Sequence, residues 1–153
     1  MTVRDKLTEL GLQLPQTARP AGKYAPAVRA GQLAFTSGQL PIRDGTLLLT
    51  GKVPADVPMK DAQQCAAQAC LNALAALEGL LGNLDSIEQI VRLNVFVNSS
   101  PGFVEQAHVA NGASELLNQI FGQAGVHTRC AVGAAELPLH SPVELDLVVQ
   151  VRG

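Results

Sequence analysis

The segment from residue 59 to 81 constrains this chain more than any other. Ala62, Ala66, Ala69, Ala73, Leu77, Leu80 and Leu81 recur along one stripe at helical spacing. Pro58 suits the first turn, where a backbone N–H has no partner to lose, and Gly82 suits the stop. A helix whose inward stripe is mostly alanine packs close to whatever it covers, and the rest of the chain supplies a sheet for it to cover.

Strand signals stand on both sides of that helix. Residues 28–37 hold two apolar stretches around Ala30-Gly31, a hairpin pattern. A third short strand is expected over 46–50, after the Asp44-Gly45 turn. Residues 90–98 alternate Leu93, Val95 and Val97 with Asn94, Phe96 and Asn98. A second helix is expected over 106–121, with Val109, Ala113, Leu116, Leu117 and Ile120 inward and Gly122 after it. Strands over 129–134 and 143–151 follow, the last with Val143, Leu145, Leu147, Val149 and Val151 on one face and Glu144, Asp146 and Gln150 on the other.

This order of elements predicts an α+β layer, a mixed sheet with two main helices on one face. Two helices cover only one side, so the other side meets either water or further copies of the chain. Residues 2–10 form a short amphipathic helical arm with Val3, Leu7 and Leu10 aligned, and a proline-rich connector occupies 12–26. We read residues 1–153 as one domain, of which 1–19 are the arm and connector, since 153 residues are too few for two ordinary domains.

Composition narrows the function classes. A formal net charge of −2 with scattered Lys and Arg offers no phosphate-binding patch, and four Phe, one Tyr and no Trp offer little to stack on bases. Nucleic acid is therefore not the expected partner. Cys65, Cys70 and Cys130 are odd in number and lack ligand spacing, so neither a disulfide framework nor a metal site is expected. Reduced thiols point to a cytoplasmic setting. The first twelve residues mix charges with leucines and read as neither a signal peptide nor a membrane span.

Several segments, taken together, resemble one family. Thr36-Ser-Gly-Gln-Leu-Pro-Ile42 is similar to its "SGQ(I/L)P" segment, and Arg129-Cys-Ala-Val132, Leu137-Pro138 and Pro142-Val-Glu-Leu145 are similar to its C-terminal signature. The family is Rid (YjgF/YER057c/UK114), also labelled endoribonuclease L-PSP, and the likeness extends over residues 20–153. Arg129 and Glu144 keep the fifteen-residue separation that the family shows between a carboxylate-binding arginine and a glutamate on the last strand. Cys130 follows Arg129 directly, with Ala131 where the family has its cysteine. The helical arm and the run Ala110-Asn-Gly-Ala-Ser114 are features of a longer subgroup.

The resemblance implies a chorismate-mutase-like fold of the Bacillus type, assembled as a homotrimer with clefts between subunits. It implies an enamine or imine deaminase that hydrolyses 2-aminoacrylate-type intermediates to 2-keto acids and ammonia without a cofactor. Arg129 and Glu144 are the implied catalytic residues. Tyr24, Ser37, Gly38, Asn111, Cys130 and Ala131 are the implied substrate-binding residues, and small carboxylates or imino acids the implied ligands. Alternatives are a trimer that binds or senses small carboxylates without turnover and, below it, a ribonuclease or translation inhibitor.

The residues themselves allow plainer roles. Arg129 could be an ion-paired surface arginine, Glu144 an exposed one of its type, and Gly38 a bend. Gly112, inside the second helix, costs about 1 kcal/mol against alanine, and close helix packing is the expected reason. Cys130 reads as a small strand residue, Cys65 and Cys70 as packing, and of His108, His127 and His140 only His127 lies near Arg129 in sequence.

Overall fold

The structure, a computed structural model, describes residues 1–16 and 23–153. The 12–26 connector therefore falls partly outside the described residues.

The long helix, here α2 because α1 (Val3–Glu9) precedes it, runs over Met59–Leu81. Its buried stripe includes Ala62, Ala66, Ala69, Ala73 and Leu77 as expected, while Leu80, placed on that stripe by its spacing, is exposed. Pro58 sits one residue earlier than the first turn, as an extended N-cap, and Gly82 closes the helix at φ 86° with its N–H on the Glu78 carbonyl. α3 spans Gln106–Phe121 and buries Val109, Ala113, Leu116, Leu117 and Ile120. A Cβ on Gly112 would lie 2.1 Å from the Gln63 carbonyl oxygen of α2, so the two helices approach there as only glycine permits. Close packing is indeed the reason for that glycine.

Five strands form the main sheet: β1 (Ala27–Ala30), β2 (Leu33–Thr36), β5 (Ile87–Asn98), β6 (Thr128–Ala134) and β7 (Val143–Val151), in the order β1-β2-β7-β5-β6. β5 and β6 are parallel, joined through α3, and the other pairs are antiparallel. β5 starts earlier than the alternation suggested, because register shifts before Gln89 and Arg92 break its period of two. The strand expected over 46–50 is shorter, ending at Leu47, and lies outside the main sheet. β3 (Ile42–Arg43) and β4 (Thr46–Leu47) make a separate hairpin around Asp44 and Gly45, both at positive φ as a tight primed turn requires.

β7 alternates strictly, its five odd-numbered residues fully buried under the helices. Leu93, Val95 and Val97 of β5 join them. Asn98, grouped with the outward residues by its spacing, is buried instead: it accepts from Lys52 Nζ and donates to the Ser141 carbonyl. On the uncovered face, Val28, Leu33, Phe35, Phe96 and Val132 stand between 36% and 52% exposed. The apolar core continues from Leu7 of α1 to Val151. Among the described residues no helix is long and apolar enough to cross a membrane.

Candidate functional site

Arg129 lies opposite Leu93 in the β5–β6 ladder, and Leu93 is wholly buried beneath the helices. The arginine therefore points to the helical face, out past the edge strand. Its Nη1 donates to Asn111 Oδ1 at 2.7 Å and to Ser114 Oγ at 3.1 Å. Those two residues are three apart on α3 and so share a side of the helix. Nη2 and Nε make no hydrogen bond with the described residues, and the guanidinium opens on a shallow depression lined also by Asn118, Val126 and His127. A planar fork held at one nitrogen and free at the others is suited to a carboxylate.

Glu144 lies opposite Phe96 and shares the uncovered face with it. Gly38 presses against it: a Cβ there would fall 2.2 Å from Glu144 Oε1. Gln39 holds this approach in register by exchanging both backbone hydrogen bonds with Leu145. Ser37 then ties in the preceding segment, its hydroxyl donating to the Ala25 carbonyl at 2.7 Å and its N–H to that of Pro26 at 2.8 Å. Next along that segment stands Tyr24, 61% exposed. Partial burial, and then the like charge of Asp146 on the same face, raise the Glu144 carboxyl above its ordinary range.

The expected residues thus fall into two groups. Asn111 joins Arg129 on the helical side, while Gly38 packs against Glu144, with Ser37 beside it in the chain and tied to the segment after Tyr24. Ala131 is on the helical face opposite Val95, and Cys130 on the uncovered face opposite Asn94. Within one chain Arg129 and Glu144 do not share a cavity, since they project from opposite sides of the sheet. Sequence reasoning did not single out Ser114. The available signal was its spacing of three from Asn111, which puts two polar groups together beside an apolar helix face.

His127 borders the depression, bonded to Ser114 through Nε2 at 2.9 Å. His108 pairs with Glu105 at the start of α3, and His140 lies in the short turn before β7. Cys65 and Cys70 are buried in α2: desolvation, with Asp61 adding to it for Cys65, pushes their thiols up to about 11 and about 12. Among the described residues no three His, Cys, Asp or Glu side chains gather as a metal site would require.

An order of strands β1-β2-β7-β5-β6 with two helices on one face defines an α+β protein of the chorismate-mutase-like type. Residues 4–151 match the family described as "YjgF/chorismate mutase-like, putative endoribonuclease", and the chain belongs to that family. It is 43% identical over 151 residues to "Protein TCP17" of Trypanosoma cruzi, covering 98% of this chain and 94% of that protein. The Agrobacterium tumefaciens protein Atu1372 superposes with a TM-score of 0.90 at 40% identity, over 98% of this chain and 92% of that one. "Putative reactive intermediate deaminase TdcF" of Escherichia coli is 30% identical over 129 residues, 83% of this chain and 85% of its own. Its structure with bound serine has a TM-score of 0.63 at 25% identity, over 92% of this chain and 94% of that one.

Proposed function

We propose that this protein hydrolyses 2-enamine and 2-imino acids of the 2-aminoacrylate type to 2-keto acids and ammonia. The cleft lies between copies of a homotrimer: Arg129 at the β6 edge of one copy faces Glu144, Gly38 and Ser37 on the uncovered sheet face of the next. The observation that carries this reading is the half-anchored guanidinium of Arg129, fixed to α3 through Nη1 with its remaining donors free. Five part-exposed apolar side chains on the uncovered face support a seam there. TdcF, named as a deaminase and solved with a small amino acid bound, supports the ligand class.

In this reading Arg129 clamps the substrate carboxylate. Backbone groups of Cys130 and Ala131, on an edge strand with one side unpaired, contact the nitrogen. The enamine takes a proton at carbon and becomes the imine. Glu144 orients a water and accepts its proton as the oxygen adds to the imine carbon. That proton passes to nitrogen to give the carbinolamine, and a second transfer, from its hydroxyl to the amine, lets ammonia leave as the carbonyl forms, so imine and water give keto acid and ammonia. A carboxyl raised toward neutrality suits such two-way transfer. Since the reaction proceeds unaided in water, orientation and proton transfer through one carboxylate are sufficient.

The test generates 2-aminoacrylate with a dehydratase and follows keto-acid release with native protein and with Arg129→Ala. Native protein accelerates release and the variant does not; equal rates would remove the enzymatic claim. Binding without turnover is the second reading, favoured by the serine found in TdcF. Calorimetry showing Arg129-dependent binding of pyruvate without ammonia release selects it.

A further inference from the structure

The Ser114 hydroxyl lies between Arg129 Nη1, at 3.1 Å, and His127 Nε2, at 2.9 Å. Behind the imidazole, Nδ1 is 2.6 Å from the Gly125 carbonyl oxygen. A carbonyl only accepts, so Nδ1 carries the hydrogen, and in the neutral ring Nε2 is left bare. Ser114 must then donate its O–H to Nε2, which turns its oxygen lone pairs toward Arg129. The direction of every bond in the chain Arg129, Ser114, His127, Gly125 follows from that one carbonyl.

Both ends of the chain are built on packed backbone. Gly125 is buried, and a Cβ on it would come within 2.3 Å of the Leu117 carbonyl oxygen, so its position under α3 is fixed. Ser114 and Asn111 ride on α3, which is seated on α2 at Gly112. None of these groups is needed to bury Arg129, which is exposed. Their joint effect is to hold one nitrogen of a long, otherwise mobile side chain.

We propose that Ser114 and His127 are positioning residues for Arg129: they fix the guanidinium rotation so that Nη2 and Nε present a pre-set fork to the substrate carboxylate. This rests on the reading that Arg129 takes that carboxylate. A fork held before binding loses less freedom when the ligand arrives, so the pair sets affinity and not the chemical step. His127 acts only through Ser114, and Ser114 only through Arg129.

The experiment measures KM and kcat for 2-aminoacrylate, and pyruvate affinity by calorimetry, in Ser114→Ala, Ser114→Thr, His127→Phe and Arg129→Ala, each checked by circular dichroism and melting temperature. Loss of one anchoring hydrogen bond should raise KM and the pyruvate Kd about 5- to 20-fold in Ser114→Ala and in His127→Phe, with kcat within about twofold of native. Ser114→Thr, which keeps the hydroxyl, should restore native KM. Arg129→Ala should weaken binding at least about 100-fold. If Arg129→Ala weakens binding while Ser114→Ala and His127→Phe match native protein, the positioning role is overturned and the carboxylate clamp stands. Should Arg129→Ala itself bind and turn over like native protein, the clamp fails and the positioning role with it. Covalent labelling of Ser114 by diisopropyl fluorophosphate would also overturn the proposal, by making that hydroxyl a nucleophile.

Discussion

Arg129 and Glu144 project from opposite faces of one sheet, because their partners on β5, Leu93 and Phe96, are three residues apart along a strand whose faces alternate every residue. No side-chain rotation brings them together within a chain. If both serve one substrate, each site draws Arg129 from one copy and Glu144 from its neighbour.

Complementation tests this directly. Arg129→Ala and Glu144→Gln should each be inactive alone, yet mixed assemblies of the proposed trimer should recover activity, since some seams then join a native Arg129 to a native Glu144. Random cyclic assembly from equal parts puts about a quarter of the seams in that state, so about a quarter of native activity is expected after co-refolding. Recovery no greater than the sum of the separate variants would mean that the two residues do not act across a seam.

Gly38→Ala should separate activity from stability. The new methyl meets only the far end of the Glu144 side chain, which can swing aside, so the melting temperature should stay within about 2 °C of native. If Glu144 orients the attacking water as proposed, displacing its carboxylate should lower keto-acid release at least about tenfold. Calorimetric melting and a coupled keto-acid assay on the same preparation give both values.

Gly112→Ala should behave in the opposite way. Here the methyl meets the Gln63 backbone, which cannot move without shifting α2, and overpacking of this kind costs about 1–3 kcal/mol. At about 2–4 °C per kcal/mol for a chain of this size, the melting temperature should fall by several degrees. An unchanged melt would show that the helices are not seated on each other at that point.

Glu144 also makes a signed pH prediction. Its carboxyl is raised in the folded protein, so between its unfolded and folded values the folded state holds more protons, and its contribution to stability falls as pH rises. Glu144→Gln removes that penalty. The variant should melt higher than native protein at pH 7, with the difference shrinking as the pH falls below the range in which the folded carboxyl titrates. A difference that grows on acidification would contradict the raised value.

Much of this was legible beforehand where a local pattern is complete in itself. α3 and β7 fall on the expected residues because their apolar periods are unbroken, and the pairing of Arg129 with Asn111 on the helical side joins two residues singled out from sequence. β5 was cut short because its bulges interrupt the period that marks a strand. The 46–50 strand is shorter than expected because its partner β3 pairs only through Ile42 and Arg43. Ser114 escaped notice since its role depends on a histidine thirteen residues away, beyond a turn.

Sequence alone determined the existence and type of the long elements, the apolar side of α3 and β7, and the family signature carried by Ser37, Gly38, Arg129 and Glu144, because all of these are written in short-range spacing. Only the tertiary structure decided that β5 lies between β6 and β7 and in what register. That pairing sends the arginine to one face and the glutamate to the other, and no count of residues between them contains it.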